Sequence, residues 1–277
     1  MKILISNDDG IYAPGLVALA SRLSQDPTLE IYVCAPDRQR SATGHSLTLH
    51  KPLRVEQVTL PGKVKKAWST TGTPSDCVKL AISQLLDEPP DLVISGINAG
   101  PNLGSDVLYS GTVAAAMEAA AANFRSIAVS AQKSGPANFE RAAEFIYNFL
   151  PHAEHFHVRP PSQAALNGSL TTRRLININV PAAEKHSRIK GVTLAKLGLR
   201  VYKDVFEKRH DPNGRDYYWL SGSAVEDNED PDSDVHLVNQ GYITVTPVTF
   251  NMTDIESLSH LQSSFDFGDL QKALEAK

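Results

Sequence analysis

The sequence predicts a doubly wound α/β fold around a mainly parallel sheet, on three observations. From residue 1 to about 150, short β-branched runs alternate with longer runs that carry apolar residues at helical spacing. The short runs are too continuously apolar to have a wet face, which is the pattern of strands covered by helices on both sides. The loops that follow them are rich in Gly and in polar side chains, as the ligand-binding edge of an open α/β sheet requires.

The elements follow in order. KILIS (2–6), EIYVCA (30–35), DLVIS (91–95) and SIAVS (126–130) read as buried strands. Between them the spacing predicts helices over 14–23, 74–86, 112–122 and 138–150. The runs 47–58 and 63–70, separated by Pro61-Gly62, read as a hairpin inserted into that order. Beyond residue 150 the character changes. Pro160, Pro161 and the polar stretch to Thr172 mark a loop, RLININV (174–180) and residues 242–248 read as strands, and hairpin-like segments lie between 189 and 239. The acidic run EDNEDPDSD (226–234) reads as a solvated loop. A final helix is expected from Asp254 onward, with Thr253 as its N-cap and Glu256 completing a capping box. The division expected is a catalytic core over 1–180 and, over 181–277, a β-hairpin and helix extension that completes the core and makes oligomer contacts.

Charge and composition argue for no polymer or membrane partner. A net charge of −4, with 21% charged residues, gives no attraction to nucleic acid or to an anionic membrane. The Ala-rich stretch from Thr112 to Asn123 is interrupted by Glu118, and no window reaches the length of apolar residues that spans a bilayer. Met1 to Ile5 is too short for the apolar region of a signal peptide. Cys34 and Cys77 lack C-x-x-C or zinc spacing and sit in apolar runs, so free buried thiols and a reducing, cytoplasmic setting are expected.

Four loops concentrate the chemistry: Asn7-Asp8-Asp9-Gly10, then 37–46 (DRQRSATGHS), then 71–76 (TGTPSD), then 96–112 (GINAGPNLGSDVLYSGT). Adjacent carboxylates repel, so Asp8 and Asp9 need separation, a proton or a cation. With Ser41 and Asn98 they form an oxygen-only donor set suited to Mg²⁺ or Mn²⁺. The alternative is an Asx-turn or a helix cap made by one of the two acids. Ser110-Gly111-Thr112 opens a helix, where free N–H groups and the dipole favour an anion, although simple capping explains the same residues. The hydroxyls and Gly of 41–46, with Arg38 and Arg40, can surround a phosphate, and His45 can donate a proton to a leaving oxygen. His236, beside the acidic run, can reach a site or simply be solvated. No P-loop and no G-x-G-x-x-G occurs.

Together NDDG (7–10), APDRQRSATGHSLT (35–48), STTGTPSDCVKL (69–80), SGINAGPNLGSDVLYSGTVAAAMEA (95–119) and GYITVTP (241–247) resemble the SurE family of stationary-phase survival proteins. The resemblance implies a Rossmann-like, three-layer αβα core and metal-dependent hydrolysis of nucleoside 5'- or 3'-monophosphates, with short polyphosphate as a further substrate of some members. It implies one divalent metal per subunit on Asp8, Asp9, Ser41 and Asn98, with Asp8, Asp9 and Asn98 also catalytic. Phosphate contacts would fall on Ser110 and Thr112, with Asn7, Thr43, Gly44, His45 and Gly111 around them. A homodimer or homotetramer built through C-terminal elements is implied as well. Two other readings stand beside it: a nucleotide-sensing module without turnover, and a phosphatase working through an aspartyl-phosphate. The latter group uses D-x-D, from which NDDG departs.

Overall fold

The computed structural model describes residues 1–132, 135–157, 175–182, 188–225, 230–250 and 252–268. At its centre lies β1 (Lys2–Ser6), with β2 (Glu30–Pro36) on one side and β5 (Leu92–Ala99) on the other, both parallel to it. Beyond β2 come β4 (Lys66–Thr70), parallel, and β3 (Val55–Val58), antiparallel at the edge. Beyond β5 come β6 (Ser126–Ala131) and β7 (Leu175–Val180), both parallel, then the antiparallel β11 (Tyr242–Val248) and finally β8 (Gly191–Leu194). This sheet has nine strands among the described residues. The chain leaves β1 in one direction and returns to its other side as β5, so a topological switch point opens between the carboxyl ends of these two strands.

Two helical layers cover the sheet. Helices α1 (Pro14–Leu23) and α4 (Pro136–Phe149) pack on the face that carries Ile3, Ile5, Ile94 and Ile127. Helices α2 (Pro74–Leu80) and α3 (Gly111–Ala121) pack on the face of Leu4, Cys34 and Val93. The sequence of α1 explains its seat. Pro14 starts it, and Leu16, Leu19, Ala20 and Leu23 recur on one side and are buried. Each Leu or Ile so buried stabilises the fold by roughly 1.5–3 kcal/mol. Gly15 lets α1 sit directly on β5, because a Cβ there would lie 2.0 Å from Ile97 O. The predicted doubly wound, three-layer α/β fold is the one observed, and Cys34 and Cys77 are both free and buried.

The remaining elements refine the reading. The helix predicted over 74–86 changes to a wider π turn at Ala81–Leu85. The first arm of the 47–70 hairpin is a strand only over Val55–Val58, since Pro52 lacks an N–H and Thr48 N is given to Asp76 Oδ1 at 3.1 Å. A short α5 (Ala153–His157) follows α4. The loop predicted from Pro160 to Thr172 lies outside the described residues. β9 (Val201–His210) and β10 (Asp216–Val225) pair as a separate antiparallel ribbon. α6 (Asp234–Asn239), unforeseen in the sequence, is opened by Ser233. Part of the acidic run expected to be solvated lies outside the described residues, but Asp234, its last member, is fully buried. The last helix, α7 (Ile255–Ser264), is capped by Asp254 rather than Thr253. The Asp254 carboxylate reaches Ser257 N at 3.0 Å and so satisfies the first-turn donor itself.

Candidate active site

The loop after β1 is shaped before it is functional. Gly10 takes φ +106, and a Cβ there would press within 3.2 Å of the Arg38 backbone. Asn7 is fully buried with both polar atoms turned to Gly10: Nδ2 donates to Gly10 O at 2.9 Å, and Gly10 N donates to Asn7 Oδ1 at 3.2 Å. The Asn7 side chain therefore holds the turn. The two acids that follow project differently. Asp8 is 4% exposed and accepts from Thr112 Oγ1 at 2.5 Å through Oδ1. Asp9 is half-buried and accepts from Ala99 N at 3.1 Å through Oδ2.

The end of β5 brings the amide. A register shift between Ser95 and Asn98 breaks the β5–β6 ladder, and Gly96 sits in it at φ +137 with no room for a side chain against Val129 O. Such a bulge re-aims the residues beyond it, here Asn98. Asn98 Nδ2 donates to Gly100 O at 2.8 Å, which leaves Oδ1 as the atom able to face a cation. From the loop after β2, Gln39 Nε2 donates to Ser41 Oγ at 2.8 Å and reaches Asp9 Oδ1 at 3.5 Å. One donor thus bridges oxygens of two predicted ligands.

Asp8, Asp9, Ser41 and Asn98 line a single pocket of about 700 Å³ together with Ser110. Ser110 also caps α3, accepting from Val113 N at 3.1 Å, so capping and site lining coexist in one residue. Gly111 is required by closeness: a Cβ there would lie 2.7 Å from Asp8 Cβ. The N-terminus of α3, with its positive dipole end, therefore stands against the Asp8 carboxylate.

The electrostatics leave a deficit of positive charge. Burial pushes the Asp8 carboxyl up to about 6, the Thr112 hydroxyl works against that shift, and the neighbouring Asp9 charge adds to it. Among the described residues, neither Lys, Arg nor His lines the pocket. No cluster of three or more His, Cys, Asp or Glu suited to a metal occurs among the described residues. Two carboxylates, a hydroxyl and an amide oxygen, with no cationic side chain among the described residues lining the pocket, fit a hard divalent ion and do not fit zinc.

Other predicted residues lie elsewhere. Thr43 donates to Arg40 O, Gly44 N donates to Tyr109 O, and neither lines the pocket. The His45 ring is held by Glu118 at 2.8 Å, and Lys79 holds the other Glu118 oxygen at 2.8 Å. Those two partners, His45 first, keep the Glu118 carboxyl below its ordinary range. The Arg40 guanidinium turns to Thr71 O and Asp37, joining two loops, while Arg40 N donates to Asp8 O at 2.7 Å. His236 sits in the first turn of α6, away from the pocket lining.

The sequence reading missed Gln39, Asn102, Asp106, Tyr109, Leu220 and Gly222, all of which line the pocket. Asn102 is a buried hub: its N–H donates to Asn179 Oδ1, its Nδ2 to Ser130 Oγ, and its carbonyl accepts from Asn177 and Asn179. The alternating Asn residues of LININV, polar in a fully buried strand, were the available signal. Asp234 accepts from the backbone N–H groups of Gly104, Gly198 and Val235, which oppose the upward push that burial gives its carboxyl. It thereby ties the 104–110 segment to the root of the β9–β10 ribbon.

With this geometry in hand, comparison with known proteins is direct. The family model described as survival protein SurE matches residues 3–204. A protein from Natranaerobius thermophilus named 5'-nucleotidase SurE is 46% identical over 275 residues, covering 97% of this chain and 100% of its own. One of the same name from Gloeobacter violaceus is 49% identical over 256 residues, covering 91% of each. The crystal structure of the SurE protein from Aquifex aeolicus superposes with a TM-score of 0.72 at 33% identity, over 95% of this chain and 100% of that one. The match spans the strands and loops that build the pocket, and the chain belongs to the survival protein SurE family.

Proposed function

We infer that this chain is a metal-dependent 5'-nucleotidase, releasing phosphate from nucleoside monophosphates. The observation that carries the reading is the pocket itself: paired carboxylates with no cationic side chain among the described residues of its lining, facing the N-terminus of α3, in a chain whose relatives carry the name 5'-nucleotidase SurE. We propose Asp8, Asp9, Ser41 and Asn98 as ligands of one Mg²⁺ or Mn²⁺ per subunit. When bound, such an ion supplies Lewis acidity toward a phosphoryl oxygen and a lowered pKa for water.

The chain's own residues do the rest. Thr112 orients Asp8 through Oδ1, and the Ala99 N–H orients Asp9 through Oδ2. Asp9 Oδ1, on the more open acid, aligns the attacking water and takes its hydrogen bond. Ser110 and the positive dipole end of α3 face the phosphoryl oxygens, where negative charge spreads in the transition state. His45 is a positioning residue through Glu118 on α3.

Exposed apolar surface and free thiols support a reading of assembly and location. Tyr217 and Trp219 on β10, and Ile255, Leu258 and Leu261 on α7, are all exposed, and no residue of α7 is buried. Apolar faces of that kind support a homodimer or homotetramer. No described helix is long and apolar enough to cross a membrane. The two free thiols support a cytoplasmic location.

The deciding assay measures free phosphate from nucleoside 5'- and 3'-monophosphates and short polyphosphate, with EDTA or added Mg²⁺ or Mn²⁺. Metal-dependent release from 5'-monophosphates is expected. Nucleotide binding with no release under any metal would overturn the reading in favour of a sensing module.

A further inference from the structure

We propose that Tyr109 and Leu220 form the walls that hold the base of the substrate, so that the β9–β10 ribbon is a specificity element of the same chain's pocket. The proposal rests on the nucleotidase reading for its choice of ligand. Its basis is the make-up of the pocket lining. Asp8, Asp9, Ser41, Asn98 and Ser110 are small and polar, and Gln39, Asn102 and Asp106 add further polar groups. Tyr109 and Leu220 bring the large aromatic and aliphatic surface to the same cavity, and their side chains are open to solvent, 67% and 63% exposed. A volume of about 700 Å³ far exceeds one phosphate group and falls in the range, roughly 300–1,000 Å³, of pockets that take whole small molecules. A base offers two flat apolar faces, which aromatic and aliphatic side chains can cover.

The ribbon is built to present that surface. Successive strand residues point to opposite faces, so Leu220 and Gly222 share one side of β10 while Trp219 and Ser221 take the other. Gly222, with no side chain, leaves room beside Leu220 where the ribbon meets the cavity. Phe206 of β9 stands directly opposite Leu220 in the ladder and extends the same apolar side. The root of the ribbon is anchored to the segment that carries Tyr109. Arg200 pairs with Asp106, Ser105 Oγ donates to Arg200 O at 2.9 Å, and Arg200 N donates back to Ser105 Oγ at 3.2 Å. Tyr109 N donates to Asp106 O at 3.0 Å, completing the link between the two walls.

The test separates base from phosphate. Adenosine, which lacks a phosphate, is titrated into the wild-type, Tyr109→Ala and Leu220→Ala proteins by calorimetry. Hydrolysis of adenosine 5'-monophosphate and of glycerol 2-phosphate is then followed with Mn²⁺. Both side chains are exposed, so truncation removes nothing from the core, and unchanged thermal unfolding checks this. Each variant is expected to bind adenosine about tenfold more weakly, or worse, the scale of a lost base-stacking contact. KM for adenosine 5'-monophosphate should rise in parallel, with kcat and the KM for glycerol 2-phosphate unchanged. Equal adenosine binding in wild type and variants overturns the proposal, as does an equal rise in KM for both esters. So does a Leu220→Ala protein that changes only its oligomeric state on size exclusion. Should wild type release phosphate from neither ester, the nucleotidase reading falls, while the adenosine titration still decides whether these walls hold a base.

Discussion

Thr112 Oγ1 donates to Asp8 Oδ1 at 2.5 Å, tying the first turn of α3 to the loop after β1 across 104 residues of sequence. Sequence reading assigned Thr112 to phosphate contact; in the structure its hydroxyl orients a buried carboxylate. Thr112→Val keeps the shape and removes the donor. Metal affinity or kcat is expected to fall about 10- to 100-fold, the usual effect of losing a partner behind a metal ligand. Thr112→Ser, which retains the hydroxyl, should recover most of the loss; calorimetric Mn²⁺ titration beside phosphate release measures both.

Gly111 packs beside the same carboxylate. Gly111→Ala would place a Cβ 2.7 Å from Asp8 Cβ, with backbone behind each atom. Overpacking of this kind costs about 1–3 kcal/mol, and relief here requires α3 or the Asp8 loop to move. A folded protein with lowered denaturation midpoint and little activity is expected in urea melts and turnover assays; wild-type activity would show that the contact has slack.

Glu118 gives the fold an acid limit. Its carboxyl is held below the ordinary range, by His45 first and then Lys79. A lowered folded-state pKa means that the contribution is present above the unfolded value, near 4.5, and is lost as pH falls through the folded value. Glu118→Gln should therefore narrow its stability deficit relative to wild type as pH drops below about 4.5, in chemical denaturation run across pH. A deficit independent of pH would mean that the charge of Glu118 contributes nothing.

Asp234 binds three backbone N–H groups with one buried carboxylate. Asp234→Ala leaves those donors without an acceptor, at about 1–3 kcal/mol for each buried group that water cannot reach. Loss of stability should come with a raised KM, because the 104–110 segment carries Tyr109 and Ser110 into the pocket. Thermal unfolding and steady-state kinetics on one preparation test the coupling.

These residues also mark what a linear reading can see. That Asp8, Asp9, Ser41, Asn98 and Ser110 would meet in one pocket was legible because strand-loop-helix alternation places loops after β-strands at one edge, where oxygen donors stand out. The strands themselves were legible from unbroken apolar runs such as KILIS and DLVIS. Leu220 was not, since nothing in the period of β10 says which surface a two-stranded ribbon will lie against. Glu118 read as an interruption in an Ala-rich helix, yet its partner His45 lies 73 residues away. Asp234 looked solvated because it closes a run of acids, and only its backbone donors reveal a buried clamp. In α7, Thr253 and Asp254 both cap well by type, and the observed contact with Ser257 selects the second.

The central claim is that Asp8 and Asp9 serve a divalent cation. The most direct measurement is titration of Mn²⁺ into EDTA-stripped wild-type, Asp8→Asn and Asp9→Asn proteins, with phosphate release from a nucleoside 5'-monophosphate assayed on the same samples. One ion bound per subunit in wild type is expected, with binding and turnover both abolished in each variant while the fold, seen by circular dichroism, persists. Undiminished Mn²⁺ binding and turnover in either variant would contradict the account.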